Sequence, residues 1–280
     1  MLEARGRNTA GKRTSCRVFF LLFCLPAALP AFGAEDPKVQ ERRTIHLLIR
    51  DLADKKPAVR AEAERKLKQF GEKAAPDLIL ALDNRHIAVT TMPAERNEIA
   101  RGRAARVLGA IGGKRAGKHL TGALADPSIL VRRSVINALG EMRCKDAVPE
   151  LLKLADDDSA TIASDAVLAL GAIRDKTAVK GVLKILRARQ ELKAKYKNDA
   201  DVSRVRGAAA FALGMLGDTA AVDALLAMLR DSDAHVRRHA NWSLILMSGR
   251  DLGFKADAPE AERETAAKAW DAWWKAKRKK

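Results

Sequence analysis

"VRGAAAFALGMLGD", residues 205–218, is almost devoid of polar side chains between its ends and holds no group suited to acid–base chemistry. Its meaning comes from recurrence. Counted from its first residue, in-phase copies begin at Val59, Ala100, Val131, Ile162, Val205 and Val236, and three of the five steps between them are 31 residues. A fixed period of this length marks stacked supersecondary units.

Eight residues after each start stands a leucine in all six copies: Leu67, Leu108, Leu139, Leu170, Leu213 and Leu244. Four after each start stands Ala63, Ala104, Val135, Ala166, Ala209 or Ala240. Positions 0, 4, 8 and 11 share one helical stripe, and a small residue at its middle lets a second helix approach closely. A glycine follows (Gly109, Gly140, Gly171, Gly214), then a turn such as "GD" or "RD", then a second apolar stripe. Asp146, Thr177 and Thr219 are available as N-caps for that second helix. Each unit reads as a helical hairpin.

Asp54, Asp126, Asp157 and Asp231 recur five residues before the start, and Arg60, Arg101, Arg132, Arg206 and Arg237 recur one residue after it. Asp126 followed by Pro127 reads as an N-cap with Pro in the first turn. The acid and the Arg together predict a structural ladder of caps and ion pairs between neighbouring units.

The consensus D-x-x-x-x-V-R-x-x-A-x-x-A-L-G-x-h-G resembles the short HEAT-like repeats of the phycobilisome-lyase type, which occur across many bacterial proteins. The resemblance covers roughly residues 45–254. It implies an all-α fold, an α-solenoid of about six hairpins. For function it is unspecific, because such repeats serve lyases, scaffolds and adaptors alike.

Composition agrees with helix. Hydrophobic residues make up 48% of the 280, aromatics only 4%, and the Ala, Leu, Arg, Lys and Glu that dominate lose little freedom in a helical backbone. Before the repeats, Met1–Arg17 carries five basic residues against one acid and is followed by "VFFLLFCLPAALPAFGA". That pattern predicts a secretory signal peptide over 1–34, cleaved after Gly33 or Ala34. An uncleaved anchor is the alternative, but the run is short for a span and is broken by Pro26 and Pro30. The expected product is exported, periplasmic or extracellular. Residues 35–43 read as linker, 44–254 as solenoid and 255–280 as a C-terminal capping helix with a basic tail.

Losing the leader removes five of 52 basic and one of 35 acidic residues, leaving +13 of the original +17. It also removes Cys16 and Cys24, so Cys144 has no partner for an internal disulfide and packing must hold the fold.

Two steps depart from the period, 41 residues from the first copy to the second and 43 from the fourth to the fifth. The extra residues fall in "DNRHIAVTTMPAERNE" (83–98) and "RARQELKAKYKNDAD" (187–201), each between a second helix and the next first helix. Both should emerge on the same edge, as binding loops or as a lengthened helix with a loose loop. At the front, "IHLLIRDLAD" (45–54) aligns with "VDALLAMLRD" (222–231), so the array opens with half a unit. At the back, Trp270, Trp273 and Trp274 share one helical face. This ending resembles that of exported bacterial HEAT-repeat proteins, which implies a cap; an exposed aromatic contact site is the alternative.

Motifs for chemistry are sparse. His235 and His239 stand at i, i+4 with Asp231 one turn earlier, a spacing that suits a metal, but no third ligand is evident. The resemblance also covers di-iron hydroxylases built on His-Glu pairs, and this chain has no His-Glu dipeptide. "LGAIGGKR" (108–115) has Leu108 where a phosphate loop needs glycine and Arg115 where it needs Ser or Thr. No catalytic residue, cofactor or metal is assigned, and enzyme activity is not expected.

Positions 18, 19 and 22 of the unit should face outward on the second helix, the concave side in HEAT-like solenoids. In the middle copies they supply Lys118, His119, Lys153, Lys180 and Lys184 against Glu150, and in the flanking copies Asp77 and Asp223. A basic centre would attract a protein partner with an acidic surface. The tail "KAKRKK" (275–280) could take an anionic envelope polymer or lipid. The expectation is a non-catalytic scaffold of the cell envelope or exterior. A nucleic-acid-binding protein is the main alternative, disfavoured by export and scarce aromatics, and a lyase-type enzyme or its accessory subunit is the other.

Overall fold

The computed structural model describes residues 36–278, so the expected leader over 1–34 lies outside the described residues. Fifteen α-helices make up the described chain, with no strand among the described residues. They are α1 (Pro37–Asp51), α2 (Pro57–Phe70), α3 (Ala75–Leu82), α4 (Ile87–Thr90), α5 (Ala94–Ile111), α6 (Lys114–Gly122), α7 (Ile129–Glu141) and α8 (Val148–Leu154). There follow α9 (Ala160–Ile173), α10 (Val179–Arg187), α11 (Arg189–Tyr196), α12 (Asp199–Leu216), α13 (Val222–Met228), α14 (Ala234–Ser248) and α15 (Glu260–Arg278).

Copies one to five are the hairpins α2/α3, α5/α6, α7/α8, α9/α10 and α12/α13, and α14 is the first helix of the sixth. From α5 onward the first helices pack successively, α5 on α7, α7 on α9, α9 on α12 and α12 on α14. The stripe leucines explain why: all six are at most 1% exposed, as are all six residues at position 4. The main hydrophobic core runs from Ile45 to Trp270, as stacking of individually marginal units produces, and Ala160, Ala163, Leu192, Val202 and Val205 form a second, smaller cluster at the second insertion.

The glycines of the consensus do not end the first helices; they lie inside them. A Cβ on Gly171 would stand 2.8 Å from Ala212 Cα, and one on Gly109 2.8 Å from Ala138 Cα. Each glycine is thus the point where one first helix touches a small residue of the next. What ends the helix is a residue three positions later in the left-handed region, Gly71, Gly112, Arg143, Arg174 or Gly217, or, one position further on in the sixth copy, Gly249, with φ between 53° and 79°. Arginine bears that conformation less readily than glycine, which hid the recurrence from a reading by residue type.

The expected caps shift for the same kind of reason. Asp175 and Asp218, immediately after the left-handed residue, accept from the N–H of Thr177 and Ala220, so they, not Thr177 and Thr219, cap the turn into the second helix. Asp146 lies within the corresponding turn, Lys145–Ala147, rather than capping it. Asp126 is likewise not the N-cap of α7, which is Ser128. Its carboxylate accepts from the Ser128 N–H at 2.8 Å, and Asp54, Asp157 and Asp231 make the same turn two residues ahead. A short side chain bonding its own backbone two residues on is the chemistry of an Asx turn.

The arginines divide into two uses. Arg101 pairs with Asp126 and Arg206 with Asp231, each reaching the acid of the next copy. Arg60, Arg132 and Arg237 instead donate to carbonyls of their own copy, at Asp54, Asp126 and Asp231.

Both ends and both insertions are folded. Residues 37–43, expected as linker, form the first turns of α1, capped by Asp36 with Pro37 at the first helical position. At the other end α15 packs on α13. Trp270 is fully buried and donates to Asn241 of α14 at 3.1 Å, and Arg230 holds Glu264 and Asp271. In the first insertion Arg96 donates to the Ala53 carbonyl; in the second Tyr196 donates to the Asp157 carbonyl. Both therefore dock on equivalent loops, those preceding the first helix of the copy they follow.

Candidate binding groove on the second helices

The groove begins with a small residue. At position 19 of the fourth copy stands Gly181, where a Cβ would meet Leu152 Cδ2 at 2.5 Å, so the tip of the Leu152 side chain of α8 lies over the α10 backbone. After α10 the chain turns at Ala188 into α11, which stands beside α10 as a third wall. The resulting open groove, about 1300 Å³, has Leu152, Leu183, Ile185 and Leu192 among its apolar lining.

Three of the five expected binding residues meet there: Lys153, Lys180 and Lys184. Arg187 and Lys195 join them, with Asp156 and Glu191 as the opposing acids. Lys195 is engaged by Asp156 and Asp158. Lys153 has an exposed pair with Glu150 at 2.8 Å, the kind that contributes little. Lys180, Lys184 and Arg187 pair with no acid among the described residues. The second insertion thus occupies the acids of the Asp156–Asp158 turn and leaves the α10 cations open.

Tyr196 fixes that wall. Burial, then the carboxylates of Asp156, Asp157, Asp158 and Asp201, push its phenol up to about 12, so it remains a protonated donor to Asp157 at any ordinary pH. Sequence reasoning missed Arg187, Leu192 and Lys195 as lining of the groove, and Tyr196 as the residue outside it that anchors α11. The signal was available in the chain's single tyrosine and an isolated leucine inside an otherwise polar insertion.

The other two expected residues lie elsewhere. Lys118 is exposed on α6, outside the groove, and His119 Nδ1 lies 3.1 Å from Asp83 Oδ2 of the first insertion. The acidic flank at Asp223 stays exposed but is partnered, because Trp274 Nε1 donates to it at 2.8 Å and Arg278 lies 3.3 Å from it. The tail is helical through Arg278, whose guanidinium sits 5.7 Å from the Trp274 ring centre. Trp273 is partly buried against the core, so the three tryptophans hold α15 in place.

His235 and His239 have ring centres 4.3 Å apart. Burial first, then His235 and Arg238, push His239 down to about 4. No group of three or more His, Cys, Asp or Glu among the described residues is arranged to hold a metal ion. No helix among the described residues is long and apolar enough to cross a membrane.

Comparison with known proteins places these hairpins. HEAT repeats match at residues 118–195 and 190–261, and the PBS lyase HEAT-like repeat matches at 100–126. Similar solved structures include the CpcE–CpcF complex of phycocyanin lyase from Nostoc sp. PCC7120 (23% identity, 85% of this chain and 89% of that one, TM-score 0.47). Human deoxyhypusine hydroxylase is similar at 18% identity (76% and 99%, TM-score 0.35), and an engineered protein at 18% (73% and 96%, TM-score 0.38). No curated protein matches the chain. The two HEAT-repeat matches run together from 118 to 261, more than half of the 280 residues, and the chain belongs to the HEAT-repeat family.

Proposed function

We propose that the protein is an exported, non-catalytic scaffold that holds an acidic segment of another protein in the groove formed by α8, α10 and α11. The observation that carries this reading is the presence of Lys180, Lys184 and Arg187, unpaired, beside the apolar side chains of Leu152, Leu183 and Leu192. Such a surface suits a segment with both carboxylates and leucine-sized side chains. The groove is lined by no His, Cys or Ser that could serve as nucleophile or imidazole base. It is also lined by no aromatic ring, which removes the stacking platform that single-stranded nucleic acid uses.

The test is fluorescence anisotropy with a labelled 15-residue peptide rich in Glu and Asp and bearing leucines at helical spacing. Charge reversal at Lys180→Glu with Lys184→Glu should weaken binding at least ten-fold, while Lys118→Glu leaves it within about two-fold. Equal losses from both sets of changes, or tighter binding of a single-stranded oligonucleotide at the same salt, would overturn the reading. Export rests on the basic and apolar pattern of residues 1–34. Intact-protein mass spectrometry of host fractions should find a chain beginning at Ala34 or Glu35 outside the cytoplasm; an intact Met1 in the cytoplasm contradicts it.

A further inference from the structure

The outward face of the first helices changes character along the array. At position 6 of the unit the first three copies carry Arg65, Arg106 and Asn137; the last three carry Leu168, Phe211 and Trp242. Position 10 runs Gln69, Ala110 and Glu141, then Ala172, Met215 and Leu246. Among these, Leu168, Trp242 and Leu246 are 36%, 40% and 46% exposed. Leu168, Phe211 and Met215 line one open groove that continues to Leu130 of α7, and the Phe211 and Trp242 rings stack with centres 4.3 Å apart. This is a connected apolar surface across four helices, not a scatter of single exposed side chains.

We propose that this face binds a second copy of the same chain, related by a two-fold axis. Charge argues for that occupant. A molecule of net charge +17, or +13 from Glu35 onward, repels its own copies unless they meet through a surface whose cations are neutralised. Here Arg133 is held by Asp165 at 2.7 Å and Arg238 by Asp257 at 2.9 Å, and Arg204 stands 3.7 Å from Asp201. His239, edge-on to Phe211, is kept neutral by its burial. The second-helix groove, with its unpaired lysines, offers no such surface.

Size sets the expected strength. Four stacked helices at about 9 Å spacing span roughly 27 Å. With a width of about 20 Å the patch covers roughly 500 Å² per copy, at the lower limit for a specific interface, so association should be weak and concentration-dependent. In an isologous arrangement Phe211 and Met215 lie near the axis, and Trp242 of one copy faces Leu168 of the other.

Sedimentation equilibrium of the chain from Glu35, which retains the whole core beginning at Ile45, tests this directly. The weight-average mass should rise toward twice the monomer between about 1 and 200 μM. Leu168→Gln with Trp242→Gln should weaken self-association at least ten-fold, with far-UV circular dichroism unchanged, since both side chains are exposed. A monomer throughout the range, or an equally tight dimer in the double variant, overturns the proposal. Should the double variant lose its helical signal, Leu246→Gln alone must weaken association, and unchanged association in that variant also overturns it.

Discussion

Leu139→Asp collapses the middle of the array. Leu139 is fully buried at position 8 of the third copy, in α7, the helix that packs between α5 and α9. The substitution removes the burial of a leucine, about 1.5–3 kcal/mol, and places an unpaired carboxylate where no cation can reach it, a further several kcal/mol. Against a typical domain stability of about 5–15 kcal/mol, a loss above about 4 kcal/mol is a large fraction. Because each unit contacts only its neighbours, the loss also divides the array into two shorter stacks. Urea denaturation followed at 222 nm should show a much lower midpoint or a second transition. Asn137→Asp, two residues earlier on the exposed side of the same helix, should change stability by less than about 0.5 kcal/mol. If both variants unfold like the parent, the register of the repeat is misassigned.

The second large effect is expected at Asp231. Its carboxylate accepts from Arg206 at 2.6 Å, and the two side chains are 5% and 4% exposed. Arg206 also donates to the Leu186 carbonyl at 3.0 Å, so one guanidinium ties α10, α12 and the turn after α13 together. Asp231→Ala strands that cation in a site closed to water, which costs about 3–5 kcal/mol. It also breaks the turn made with the Asp233 N–H. Asp54→Ala provides the contrast: among the described residues its carboxylate accepts only from the Lys56 N–H, in an exposed turn, so the loss should stay at ~1 kcal/mol. Thermal melting of the two variants side by side checks this. Equal shifts would mean that the buried pair is no more important than a surface turn.

Much of this fold was legible because the sequence repeats itself. A leucine stripe and a small residue at its centre are packing requirements, and packing recurs with every unit, so the hairpins and their order follow from spacing. Termination and capping were less legible. The left-handed residue after each first helix is Gly in four copies and Arg in two, so its recurrence lies in backbone conformation, not in residue type. The same limit applies to the arginines, where one position serves two different bonds according to which partner comes within reach.

The candidate groove was half legible. Lys153, Lys180 and Lys184 follow from their common position in the unit, but a period cannot describe an insertion, and α11 supplies the third wall. His119 and Asp223 shared the right positions and still found partners outside the groove, Asp83 from the other insertion and Trp274 from the capping helix. Side chains that break the repeat decide which repeated positions remain open. The same holds on the opposite face, where the last three copies replace polar residues with Leu168, Phe211 and Trp242.

In the proposed function, recognition belongs to the second helices of the third and fourth copies, α8 and α10, together with α11 of the insertion. Backbone amide shifts of the isotopically labelled chain, recorded while the unlabelled acidic peptide is titrated in, locate the contact without mutation. Perturbations confined to α8, α10 and α11, saturating together, are the predicted result. Perturbations centred on the first helices, or spread evenly over lysines across the whole surface, would contradict it.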